Sequence, residues 1–65
     1  MTTFRVSDMS CGHCVAVIEN AIHEVDPRAQ VACDLGLRQV RVEGARDAEA
    51  VASAIRGAGY EPHAL

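Results

Sequence analysis

The chain has 65 residues, 49% of them hydrophobic, and a formal net charge of −3. That apolar share excludes disorder, the acidic balance disfavours a phosphate-backbone partner, and two aromatics, Phe4 and Tyr60, are too few for a base-stacking surface. A chain this short buries only roughly 60% of its unfolded surface, so residues 1–65 are expected to form a single domain with its chemistry on a surface loop, and no enzyme is expected.

Thr3 to Ser7 alternates, with Phe4 and Val6 apolar, which is the period of a half-buried strand. Asp8 to Gly12 breaks that pattern and reads as a loop. From Cys14 the period changes: Cys14, Val17, Ile18, Ala21, Ile22 and Val25 recur at three- and four-residue spacing, with Glu19, Asn20, His23 and Glu24 on the other side. This predicts an amphipathic helix, ended at Asp26-Pro27 because a residue before proline avoids helical geometry.

Gln30 to Leu35 alternates again, with Val31, Cys33 and Leu35 on the expected inward face. After a turn around Gly36, Gln39 to Glu43 repeats the alternation with Val40 and Val42 apolar, so the pair predicts a hairpin. Asp47 suits an N-cap. Ala48, Val51, Ala54, Ile55 and Ala58 make a second apolar stripe. Gly57 or Gly59 supplies the left-handed residue that stops the helix, and Tyr60 to Leu65 reads as a short final strand. The order, strand, helix, strand, strand, helix, strand, is the ferredoxin-like split βαβ arrangement. The predicted fold class is therefore α+β: a βαββαβ sandwich with two helices on one face of a four-stranded antiparallel sheet.

Met1 to Arg5 contains no apolar leader segment, and no run approaches the roughly 20 apolar residues of a membrane span. The chain is expected to be soluble and cytoplasmic, where thiols stay reduced and a cysteine pair binds metal or reacts rather than staples the fold.

The chemical signal is Cys11-Gly12-His13-Cys14, at the junction of a strand and a helix. Residues three apart on a helix start lie roughly 5–6 Å apart at Cβ, so the two sulfurs can converge on one ion. The helix N-terminus offers unpaired N–H groups and partial positive charge, both of which favour the thiolate, the form that ligates metal. Gly12 is expected to let the loop take an unusual turn. Two soft thiolates without a third ligand favour Cu(I), whereas structural Zn(II) takes four ligands. Haem attachment needs a histidine where Val15 stands, and a zinc ribbon needs a second pair that the lone Cys33 does not supply. Thiol–disulfide exchange through Cys11 and Cys14 is the main alternative, since CGHC also serves disulfide isomerases. Those sites carry Trp where Ser10 stands, belong to a thioredoxin fold, and face a cis-proline loop that Pro27 and Pro62 are poorly placed to provide. A carrier of Hg(II) or Zn(II) is the other alternative.

With Met9-Ser10-Cys11-Gly12-His13-Cys14 in place, nearly the whole chain resembles a heavy-metal-associated domain of the bacterial copper-chaperone type. The resemblance covers the βαββαβ order, the MxCxxC loop and Ala58-Gly59-Tyr60 before the last strand. It implies that Cys11 and Cys14 ligate Cu(I). It also implies that Met9 tucks under the loop into the core, and that the Tyr60 ring lies near the metal and limits its exposure. The implied partner is the metal-binding domain of a copper-transporting P-type ATPase, reached as a monomer or a copper-bridged dimer. Relatives often carry Gly before the methionine; here that residue is Asp8. Cys33 is expected to pack as a small hydrophobe, His23 and His63 to be solvated, and His13 to be the one histidine near the pair.

Overall fold

A computed structural model describes residues 2–65. The elements follow the expected order: β1 (Thr2–Arg5), α1 (Gly12–Val25), β2 (Gln30–Asp34), β3 (Gln39–Glu43), α2 (Ala48–Gly57) and β4 (His63–Ala64). The four strands form one antiparallel sheet in the order β2-β3-β1-β4. β1 pairs with β3 through Phe4 opposite Val40 and Arg5 opposite Gln39. The inward residues Phe4, Val40 and Val42 meet Ile18 and Ile22 of α1 and Val51, Ala52 and Ile55 of α2 in one core, joined by Val6 and Met9 from the link between β1 and α1.

Because β1 and β3 are antiparallel, the end of β1 lies beside the start of β3. The β1–α1 link, the β2–β3 turn and the α2–β4 link therefore share one end of the sheet. The opposite end is held by Asp26, which is buried at 8% exposure. One of its carboxylate oxygens accepts the Arg46 N–H at 3.0 Å, and its carbonyl accepts the Ala29 N–H at 3.1 Å. That residue ties the α1–β2 link to the β3–α2 link. Asp47 caps α2 as expected, its carboxylate accepting the Glu49 N–H at 3.0 Å.

Some boundaries depart from the sequence reading, each for a physical reason. The first strand ends at Arg5 instead of Ser7, because Ser7 and Asp8 form a turn closed by the Met9 N–H donating to the Val6 carbonyl at 3.0 Å. The final strand is two residues, not six. Tyr60 spends its N–H on the Ile55 carbonyl at 3.2 Å and Gly59 spends its own on Arg56 at 3.0 Å, which together close the end of α2. Pro62 then has no N–H to give to a ladder. Leu35, expected on an inward face, lies beyond the end of β2 and is 40% exposed; Val25, expected on the apolar stripe of α1, is 52% exposed in the last turn. Ala48 is likewise exposed, while Ala52, outside the predicted stripe, is buried.

Candidate metal centre

Helix α1 begins at Gly12, so Cys11 is its N-cap and Cys14 its third residue. Gly12 is thus helical, against the expectation of an unusual turn, and a side chain there would meet nothing within 4 Å. No acidic residue occupies the first turn of α1, and the Cys11 side chain makes no capping hydrogen bond. The position that usually holds a Glu or Gln reaching back to the cap is held by Cys14. The backbone N–H groups of Ser10 and Cys11 favour the ionised form of its sulfur.

The two sulfurs stand 3.1 Å apart and share a hydrogen bond. They differ in surroundings: Cys11 is exposed, whereas Cys14 is 9% exposed and belongs to the rim of the core. The Tyr60 hydroxyl donates to the Cys14 sulfur, and this bond is the largest of the influences that hold the Cys14 pKa down, from 9.0 to about 6. The Ser10 N–H, the Cys11 thiol and the Cys11 N–H add to it, and burial opposes it. The same bond pushes the Tyr60 hydroxyl up to about 12, so the phenol stays a donor across the physiological range. At neutral pH Cys14 is a thiolate, the form that ligates metal.

Tyr60 reaches this position because of how α2 ends. Gly59 takes the left-handed conformation, φ 96°, which reverses the chain and turns Tyr60 back towards the start of α1. Met9 is wholly buried, two residues before Cys11, so the thioether packs in the core and anchors the loop from beneath.

The remaining candidate residues do not join the pair. Cys33 is half-buried against the core; burial, with the Glu19 carboxylate, pushes its thiol up to about 11, so it is protonated at neutral pH. His13 is exposed on the first turn of α1. His23 is exposed as expected, but it is also tethered: its Nε2–H donates to the Ala29 carbonyl at 2.9 Å. His63 lies on the exposed edge strand β4. Among the described residues no group of three or more His, Cys, Asp or Glu side chains gathers to hold an ion. The arrangement thus offers two sulfurs, one already ionised and one open to solvent.

The heavy-metal-associated domain model matches residues 3–61. The chain belongs to the heavy-metal-associated domain family. The copper chaperone Atx1 from Synechocystis PCC6803, in its Cu2 form, superposes with a TM-score of 0.91 at 27% identity, covering 97% of this chain and 100% of that one. A gold-binding protein superposes with a TM-score of 0.93 at 34% identity over the whole of both chains. Copper-transporting ATPase 1 of Rhizobium meliloti is 36% identical over 66 residues, covering 98% of this chain but only 8% of the ATPase. The βαββαβ frame of this family differs from the thioredoxin fold in which CGHC serves disulfide exchange, and the family and the relatives matched give that alternative no support.

Proposed function

We propose that this heavy-metal-associated domain is a copper chaperone. It holds one Cu(I) between the sulfurs of Cys11 and Cys14 and passes it to a metal-binding domain of a copper-transporting P-type ATPase. The observation that carries the reading is the pair itself: sulfurs 3.1 Å apart, Cys14 ionised at neutral pH by neighbouring donors, Cys11 exposed. Low coordination by soft thiolates suits Cu(I) over Zn(II). The copper chaperone and the gold-binding protein among its structural relatives both handle soft metals, and the ATPase relative supplies the class of acceptor.

Transfer follows from the exposure of the pair. An incoming thiolate of the acceptor attacks the metal from the open side, a third Cu–S bond forms, and one Cu–S bond to this chain then breaks. No electron moves, and the released sulfur either stays ionised or takes a proton from solvent. The donors around Cys14 stabilise its thiolate once the metal has left. The chain acts in the cytoplasm as a monomer or as a dimer bridged by copper through four thiolates, and sedimentation of the loaded protein distinguishes the two.

The test is an anaerobic competition titration of wild type, Cys11→Ser and Cys14→Ser with Cu(I) and Zn(II) against a chelator of known affinity. Each substitution is expected to abolish Cu(I) retention in the presence of competing thiol, with Zn(II) held far more weakly by the wild type. Retention unchanged in either variant contradicts the ligand assignment.

A further inference from the structure

The turn between β2 and β3 lies at the same end of the sheet as the sulfur pair, since Arg5 at the end of β1 pairs with Gln39 at the start of β3. Leu35, Gly36, Leu37 and Arg38 make the turn, and the Asp34 carboxylate accepts the Leu37 N–H at 3.1 Å. Arg38 closes it with φ 55°, the one non-glycine residue with positive φ among those described. Glycine takes this conformation without steric penalty, and a long side chain does not.

Arginine at that position spans the gap to the metal loop twice. Its carbonyl accepts the Val6 N–H at 2.7 Å. Its Nη1 donates to the Ser7 carbonyl at 3.0 Å. Ser7 and Asp8 form the turn that leads into Met9, and Met9 enters the core two residues before Cys11. The arm that carries the sulfurs is thus held from below by Met9, from the side by the ladder to the Arg38 carbonyl, and from outside by the guanidinium. The last of these is the only one made by an exposed side chain.

We infer that Arg38 is a positioning residue for the thiolate pair. Its guanidinium fixes the Ser7–Asp8 turn and so keeps Cys11 aimed at Cys14, while touching neither sulfur. Backbone strain of this kind persists where surrounding contacts over-determine it, and it concentrates near functional sites. The inference rests on the reading of Cys11 and Cys14 as the metal-holding pair.

The test compares wild type with Arg38→Gly, which deletes the side chain and relaxes the backbone, and Arg38→Lys, which keeps a cation with one donor head. Two readouts are taken beside the melting temperature. On metal-free protein, the equilibrium constant is measured for closing the Cys11–Cys14 disulfide against oxidised glutathione. Two protein thiols become one disulfide, and one glutathione disulfide becomes two thiols. That constant reports how well the loop holds the sulfurs together without any metal. On Cu(I)-loaded protein, the rate of copper withdrawal by a Cu(I) chelator is measured.

Arg38→Gly is expected to melt at or above the wild-type temperature. Its disulfide constant should fall, and its copper withdrawal should quicken, by roughly threefold to tenfold, the range of one ordinary intramolecular hydrogen bond, since solvent weakens the charge assistance of this exposed one. Arg38→Lys is expected to recover at least half of each change. An Arg38→Gly protein with both readouts within about twofold of wild type overturns the inference. So do changes that track a lowered melting temperature and are not recovered by Arg38→Lys. A wild type that fails to hold Cu(I) on its two sulfurs, beside a disulfide constant that falls in Arg38→Gly, overturns the chaperone reading and leaves the positioning role standing.

Discussion

Replacing Tyr60 with Phe removes one hydroxyl and leaves the ring, so it isolates the hydrogen bond to Cys14. Four donors hold the Cys14 thiol down from 9.0 to about 6, and the Tyr60 hydroxyl is the strongest of them. A hydrogen bond to a charged group accounts for about one to two pKa units, so Tyr60→Phe should raise the Cys14 midpoint from about 6 to about 7 or slightly above. In thiolate content at pH 7 that is a fall from about 90% to about half or less. The ultraviolet absorbance of the thiolate, followed against pH in metal-free protein, reads this directly, and the pH profile of alkylation at Cys14 reads it independently. The sign of the stability effect follows. The folded pKa lies below the unfolded one, so the thiolate stabilises the fold above about 9, and that contribution is lost as pH falls towards 6. Tyr60→Phe should therefore narrow the loss to between about 9 and about 7 and flatten the pH dependence of the melting temperature across neutrality. A midpoint unchanged by the substitution refutes the assignment of Tyr60 as principal donor.

Met9→Ala should cost about 2–5 kcal/mol in chemical denaturation, because a wholly buried side chain leaves a cavity, whereas Met9→Leu should cost less than about 1.5 kcal/mol with Cu(I) affinity retained; copper binding lost in Met9→Leu would show that the thioether is a ligand. Gly59→Ala should destabilise by about 1–2 kcal/mol, since the left-handed conformation penalises a Cβ, and should raise the Cys14 midpoint by displacing Tyr60; thermal unfolding and the thiolate titration check the two effects. Asp26→Ala should cost about 1–3 kcal/mol by stranding the Arg46 N–H at the end remote from the sulfurs, with the Cys14 midpoint unchanged, measured by denaturant unfolding and the same titration.

The elements were legible where periodicity carries them. Gln39 to Glu43 is the strand the alternation predicts, and Asp47 caps the helix it precedes, because both signals are local. The start of α1 was not placed by periodicity, since Cys11, Gly12 and His13 have no apolar rhythm. The helix nonetheless starts at Gly12, with Cys11 as its extended N-cap. The short β4 escaped for a related reason: the closing bonds of α2 consume the Tyr60 N–H, and alternation carries no record of that. Leu35 and Val25 obey the apolar pattern but stand past the ends of the surfaces they would cover.

At the site, the spacing of Cys11 and Cys14 and the helix start explain why two sulfurs converge. Their inequality was not readable, because it depends on Tyr60, brought back from the far end of the chain by Gly59. The resemblance to heavy-metal-associated domains placed Tyr60 near the pair as a ring that limits exposure; the influence of its hydroxyl on Cys14 is a further role. Arg38 carried no signal, as a surface arginine after a turn is ordinary until its backbone angle and its bond to the Ser7 carbonyl are seen.

X-ray absorption at the copper edge of protein loaded anaerobically with one equivalent of Cu(I) shows whether Cys11 and Cys14 are the ligands. A low-coordinate copper bonded by sulfur alone is expected, with that signal abolished in the double variant Cys11→Ser, Cys14→Ser. A first coordination sphere dominated by nitrogen or oxygen, or a sulfur signal that survives the double substitution, would contradict that assignment.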